Sequence, residues 1–199
     1  MNIAKQIVLS EDGLVEYIPG FISEPECHLL FGDLRSNIDW QHDVIHLFGK
    51  HITTKRKVAW YGDEAFAYTY SNSKKIALPW IKTLEDIKNM VNRLNGENFN
   101  SCLLNFYHTG SEAMGWHNDN ETCMKPGATI ASVSLGAARE FKFRHQNSGK
   151  QHSIVLENGS LLLMKAETQE FWKHQLPARK RILAPRINLT FRYFIDPRD

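Results

Sequence analysis

Apolar and polar positions alternate most clearly near the end of the chain. There Arg186, Asn188, Thr190 and Arg192 take one set of positions, and Ile187, Leu189, Phe191 and Tyr193 take the other. A period of two is that of a β-strand with one apolar face. Ser101 to Tyr107 repeats it, with Asn105 and Tyr107 on one face and Leu104 and Phe106 on the other. Upstream the period lengthens. Trp80, Leu84, Ile87, Val91 and Leu94 recur at helical spacing, and Asn95-Gly96 supplies a stop. Ser23-Glu24-Pro25-Glu26 has the form of a capping box with proline just inside a helix, followed by an apolar side of Leu29, Leu30, Phe31 and Leu34. From Asn98 onward the signals favour strands, with turns at Ser148-Gly149 and Asn158-Gly159. The pattern predicts an α+β fold with a helical front and a strand-rich body, without internal repeat, linker or low-complexity stretch.

Composition narrows the class. A chain of 199 residues lies in the single-domain range and buries a real core. No apolar run approaches the roughly 20 residues of a membrane span, and Met1 to Gln6 lacks the apolar region of a secretory signal. Cys27, Cys102 and Cys123 are odd in number and scattered, which predicts free thiols and an intracellular setting. The formal charge of +2 does not announce nucleic acid. Its distribution is more informative: Lys50, His51, Lys55, Arg56 and Lys57 cluster, as do Lys173, Arg179, Lys180 and Arg181. Both clusters read equally as solvated loops or as phosphate-binding surfaces.

The chemistry lies in His117-Asn118-Asp119. In an extended segment His117 and Asp119 point the same way and can share one cation, and His174 completes two imidazoles and a carboxylate. That set binds non-haem Fe(II) on one face and leaves positions open for a chelating co-substrate and O2. The paired arginines on the last strand suit a small dianion, because guanidinium forks match carboxylates. Each piece alone has a plainer reading: a surface His-Asp pair, a loop histidine, a solvated or nucleic-acid-binding sheet face.

The order of these pieces, a metal pair, then a distal histidine, then Arg-(x)5-Arg, resembles the Fe(II)/2-oxoglutarate dioxygenases and, within them, the AlkB-like alkylation-repair family. Likeness extends from about residue 15 to residue 193. It implies one domain over residues 1–199: a double-stranded β-helix of the jelly-roll or cupin kind over about 98–194, helices packed on one sheet, and a nucleotide-recognition lid over about 40–75. It implies Fe(II), 2-oxoglutarate and O2, with metal ligands His117, Asp119 and His174. The co-substrate residues would be Asn105, Tyr107, Arg186 on the far carboxylate, Asn188, and Arg192 on the iron-side carboxylate.

The same resemblance implies oxidative removal of alkyl groups from DNA bases such as 1-methyladenine and 3-methylcytosine, with succinate and formaldehyde released. Leu47, Phe48 and Gly49 would be a wedge entering the base stack of duplex DNA. Lys50, Arg56, Lys57 and Arg179 would hold phosphates, and Tyr68 and Tyr70 would contact the flipped base. Where relatives often read His-x-Asp-Asp-Glu, this chain has Asn120 before Glu121. Asn120 keeps an acceptor and loses a charge, leaving Glu121 to face a cationic base. The expected enzyme acts as a monomer on DNA, away from membranes, in the cytoplasm of a bacterium or the nucleus of a eukaryote. A related dioxygenase acting on RNA or protein, or a silent nucleic-acid-binding module, are the competing expectations.

Overall fold

The computed structural model describes residues 4–47, 50–65, 67–70, 73–120 and 123–195. The predicted helices form. α1 (Glu24–Asn37) starts where the amide of Ser23 donates to the Glu26 carboxylate at 3.2 Å. α2 (Lys82–Asn95) stops at Gly96, whose φ of 71° is the left-handed conformation that glycine adopts without penalty. Leu84, Ile87 and Val91 of α2 are buried, as are Cys27 and Leu34 of α1.

The front is not mainly helical, contrary to expectation. It also carries β1 (Gln6–Leu9), β2 (Leu14–Ile18), β3 (Gln41–Leu47), β4 (Lys50–Gly62), the hairpin β5 (Ala67–Tyr70) and β6 (Ser73–Ile76), and short β7 (Leu78–Pro79). The 13 residues of β4 explain why the pattern misled. Its last third, Val58 to Tyr61, is buried on both faces, so it reads as an apolar run rather than an alternation. Its first half is basic and polar.

The body supplies β8 (Ser101–Tyr107), β9 (Met114–His117), β10 (Ile130–Gly136), β11 (Arg139–His145), β12 (Gln151–Leu156), β13 (Ser160–Lys165), one-turn α3 (Thr168–Phe171), β14 (Trp172–Leu176) and β15 (Arg186–Arg192). Beside the separate β5–β6 hairpin, two main sheets result, antiparallel except where β7 pairs parallel to β4. The larger runs β1-β2-β13-β10-β15-β8-β4-β3, with β7 on β4; the smaller runs β12-β11-β14-β9. Apart from the β11–β12 hairpin, which lies within the smaller sheet, consecutive strands of the body alternate between sheets, as in a jelly roll. Both helices cover the outer face of the large sheet, where Leu104, Val133, Ile187, Leu189 and Phe191 pack against Leu34, Leu84 and Ile87. A second apolar cluster, with Phe143, Leu162, Met164, Trp172 and Phe194, lies on the other side of that sheet. The polar residues of β8 and β15 therefore turn inward, between the sheets.

Candidate metal centre and cavity

Two strands fix two of the candidate ligands. His117 ends β9 and is the cross-strand partner of His174 on β14, which places the imidazoles edge to face at 4.3 Å between centroids. Asp119 follows His117 by two residues and is buried. Its carboxylate oxygens lie 3.8 Å from His117 Nε2 and 4.0 Å from His174 Nε2, too far for hydrogen bonds. The three ligand atoms lie within 4.8 Å of one another and can all reach one ion.

Protonation suits a cation as well. His117 Nδ1 lies 2.8 Å from the carbonyl of Gly115, which can only accept, so in the neutral ring Nδ1 carries the proton and Nε2 is the nitrogen that can bind a cation. Burial, and then the neighbouring His117, pushes His174 down to about 3, so its ring is neutral at pH 7. For Asp119 burial acts upward, but Arg192, His174 and His117 outweigh it and hold the carboxyl below its ordinary value. Arg192 donates to Asp119 at 2.8 Å, and both side chains are buried. Phe141 stacks on His174 at 5.3 Å and blocks its other side.

A cavity opens from this cluster along the inner face of the large sheet. Cross-strand register sets its walls: Arg186 faces Tyr107, and Asn188 lies between Asn105 on β8 and Ser134 on β10. At the far end Arg186 is 2 % exposed and donates to Ser134 Oγ at 2.9 Å, while its Nε has no partner among the described residues. Tyr107 lies 5.6 Å from the guanidinium, and burial lowers the Arg186 pKa to about 10. Asn105 Oδ1 is also buried without a partner among the described residues. A buried cation meeting only hydroxyl and ring is costly unless an anion joins it. Asn188 differs, since its Nδ2 already donates to Ser132 Oγ at 2.8 Å and to the Val133 carbonyl at 2.9 Å. Val58, Trp60, Leu103, Met164 and Phe194 complete the apolar part of the cavity wall.

The cavity therefore brings together His117, Asp119, His174, Asn105, Tyr107, Arg186, Asn188 and Arg192. Arg56 belongs there too, 5 % exposed, with Nη1 3.2 Å from Met114 Sδ. It shares a strand face with Val58 and Trp60, so it lines the cavity instead of standing with the surface cations. Lys57 takes the opposite face of β4. Arg179 is on the exposed connection between β14 and β15, against Glu140. Asn120 is exposed just beyond Asp119. Phe48, Gly49 and Glu121 lie outside the described residues, as do the side chains of Leu47, Lys50, Tyr68 and Tyr70.

Sequence reasoning passed over Ser132, Ser134, Trp60 and Gln169. The two serines had a legible signal, polar residues two apart within the apolar run Ile130 to Gly136. Gln169 had none, because its contacts are long-range.

Three comparisons with known proteins bear on this site. Residues 14–192 match the family described as the 2OG-Fe(II) oxygenase superfamily. Among curated proteins, human DNA oxidative demethylase ALKBH2 is 45 % identical over 178 residues, covering 84 % of this chain and 68 % of its own length. Human alpha-ketoglutarate-dependent dioxygenase alkB homolog 3 is 32 % identical, covering 97 % of this chain and 71 % of its own length. A solved structure titled OsALKBH1 superposes with a TM-score of 0.61 at 17 % identity, over 94 % of this chain and 100 % of that one.

Proposed function

This chain belongs to the 2OG-Fe(II) oxygenase superfamily and, within it, to the AlkB-like dioxygenases, and on that footing we propose that it removes alkyl groups oxidatively from bases in DNA. The observation that carries the reading is the pairing, in one cavity, of a two-histidine, one-carboxylate cluster with a buried arginine that has no carboxylate partner among the described residues. The substrate class comes from relatives named DNA oxidative demethylase, which match most of the chain.

His117, Asp119 and His174 would hold Fe(II), with neutral imidazoles and an ionised carboxylate as ligands. Arg186, Asn105 and Tyr107 would hold the far carboxylate of 2-oxoglutarate, which would give the buried guanidinium an opposite charge. Arg192, already bonded to Asp119, would fix that ligand and the near end of the co-substrate. When bound, iron with 2-oxoglutarate and O2 supplies an oxidation that yields succinate and CO2 and converts N–CH3 to N–CH2OH, which collapses to N–H and formaldehyde. The protein's own residues provide orientation and a dry wall. Phe141, Trp60, Leu103 and Met164 keep water from the reacting carbon.

The finer proposal concerns how DNA is engaged. In it, residues 1–199 act as one domain and as an intracellular monomer, and residues 40–75 form a lid over a flipped base. Phe48, flanked by Leu47 and Gly49, fills the vacated stack of a duplex. Tyr68 and Tyr70 contact the base, Lys50, Lys57 and Arg179 meet phosphates, and Asn120 and Glu121 face the lesion, 1-methyladenine or 3-methylcytosine. A competition assay tests this: methylated duplex DNA is expected to be consumed ahead of the same lesion in single strands, RNA or a methylated peptide. Preference for RNA or peptide would overturn the DNA reading.

A further inference from the structure

The three ligands of the proposed iron site are held by unequal means. His117 and His174 face each other across the ladder of β9 and β14, so two strands fix them. Asp119 lies two residues beyond the end of β9, where that ladder has stopped. It must nevertheless present a buried carboxylate to both imidazoles. Its backbone is held from a different direction. The Asp119 N–H donates to Gln169 Oε1 at 2.9 Å, and Asn118 Nδ2 donates to the backbone carbonyl of Gln169 at 2.9 Å. One residue thus receives a bond from each of the two residues that continue the metal motif past the strand.

Gln169 is well placed for that duty. It sits in α3, which leads directly into β14, five residues before His174. Its Nε2 reaches Met164 Sδ at 3.5 Å, on the cavity wall. The turn it occupies is anchored by the neighbouring Thr168, whose hydroxyl accepts from the Leu14 amide at 3.1 Å. Gly13 packs so closely on Thr168 that an added Cβ would lie 2.6 Å from its Oγ1. The fixed end of the clamp is therefore the N-terminal hairpin, and the held end is Asp119.

We propose that Gln169 is a positioning residue of the metal centre, setting the place of Asp119 relative to His174 and so the affinity for the ion. The proposal rests on the reading of His117, Asp119 and His174 as the metal site. Chemistry dictates which variants discriminate. The atom facing the Asp119 N–H must be an acceptor, so Gln169→Glu keeps the bond and Gln169→Leu loses it at similar size. A residue that only stabilised the fold would not separate these two in metal binding.

The test is titration of the whole metal-free chain with Mn(II), reading free Mn(II) by electron paramagnetic resonance, with melting of the metal-free protein in parallel. Loss of a group that orients a metal ligand weakens binding by about 10- to 100-fold. Gln169→Leu is expected at about tenfold or more, with melting little changed, and Gln169→Glu is expected near wild type. Equal affinity in wild type and Gln169→Leu, or equal weakening in the Leu and Glu variants, would overturn the proposal. Should Gln169→Leu fail to fold, Asn118→Ala carries the test by removing the second bond to the same residue. Its expected loss is a few-fold, and an unchanged affinity there overturns the proposal. A wild-type chain that does not bind Mn(II), or a His117→Ala variant that binds it equally well, would instead sink the metal-site reading on which this one rests.

Discussion

Arg186 shows how burial and charge together define a ligand. Its side chain is held against Ser134 and the ring of Tyr107, and no carboxylate in the described residues pairs with it. Removing a charged partner from a desolvated carboxylate costs on the order of 2 to 5 kcal/mol. Arg186→Leu should therefore raise the 2-oxoglutarate requirement more than tenfold, and Arg186→Lys should restore little, because lysine cannot form the fork. Steady-state turnover against 2-oxoglutarate concentration checks this, and an unchanged dependence in the Leu variant would displace the co-substrate pocket. The ligands give a second expectation. His117→Ala, Asp119→Ala or His174→Ala should abolish turnover with the fold largely kept, as judged by circular dichroism, since a three-ligand Fe(II) site holds metal poorly with two. Near-normal activity in a folded variant would remove that residue from the set. At this scale the sequence was informative because spacing in a strand predicts direction. Counting twos put His117 with Asp119, Asn105 with Tyr107, and Arg186 with Arg192 on shared faces, while the roles of Asn105 and Tyr107 came from the likeness of motifs. Arg56 was misplaced by the same logic, since charge neighbours in sequence were weighted above the face it shares with Val58 and Trp60.

α1 and α2 were legible from a cap, a period of 3.6 and a terminal glycine. The strands of the front were not, because β4 is basic in one half and buried on both faces in the other, so neither part alternates cleanly. The connections at the arginine end of the cavity were illegible for another reason, their contacts being long-range. Gly110 donates to the Ile182 carbonyl at 2.7 Å and accepts from the Arg179 amide at 2.6 Å, locking the β8–β9 and β14–β15 connections together. A Cβ at residue 110 would come within 2.2 Å of the Arg179 carbonyl. Gly110→Ala should cost about 1 to 3 kcal/mol in urea unfolding, as overpacking does, and an unchanged midpoint would mean that the connections yield freely. For the β3–β4 region, Phe48→Ala should reduce activity on methylated duplex far more than on the same lesion in a single strand, because only the duplex resists extraction of a base. Melting separates this from a core role, in which Phe→Ala costs about 3 to 5 kcal/mol. Equal loss on both substrates with a large fall in melting temperature would assign Phe48 to the core.

On the scale of the whole molecule, two sheets enclose a cavity lined at one end by His117, Asp119 and His174 and at the other by the buried Arg186. α1 and α2 leave it untouched because they pack on the opposite face of the large sheet, whereas α3 meets it through Gln169. The pattern of the sequence supported only an α+β class. The jelly roll came from the likeness of motifs, since strand order depends on pairings such as β2 with β13 that no local period reveals. In the proposed function this cavity couples consumption of 2-oxoglutarate to removal of a methyl group from DNA. The most direct test is mass spectrometry of a duplex oligonucleotide carrying 1-methyladenine, incubated with the protein and Fe(II), with and without 2-oxoglutarate, while succinate is measured in the same samples. Loss of one methyl group per oligonucleotide, with matching succinate, is expected only when 2-oxoglutarate is present. Persistence of the methylated mass while 2-oxoglutarate is converted to succinate, or demethylation without 2-oxoglutarate, would contradict it.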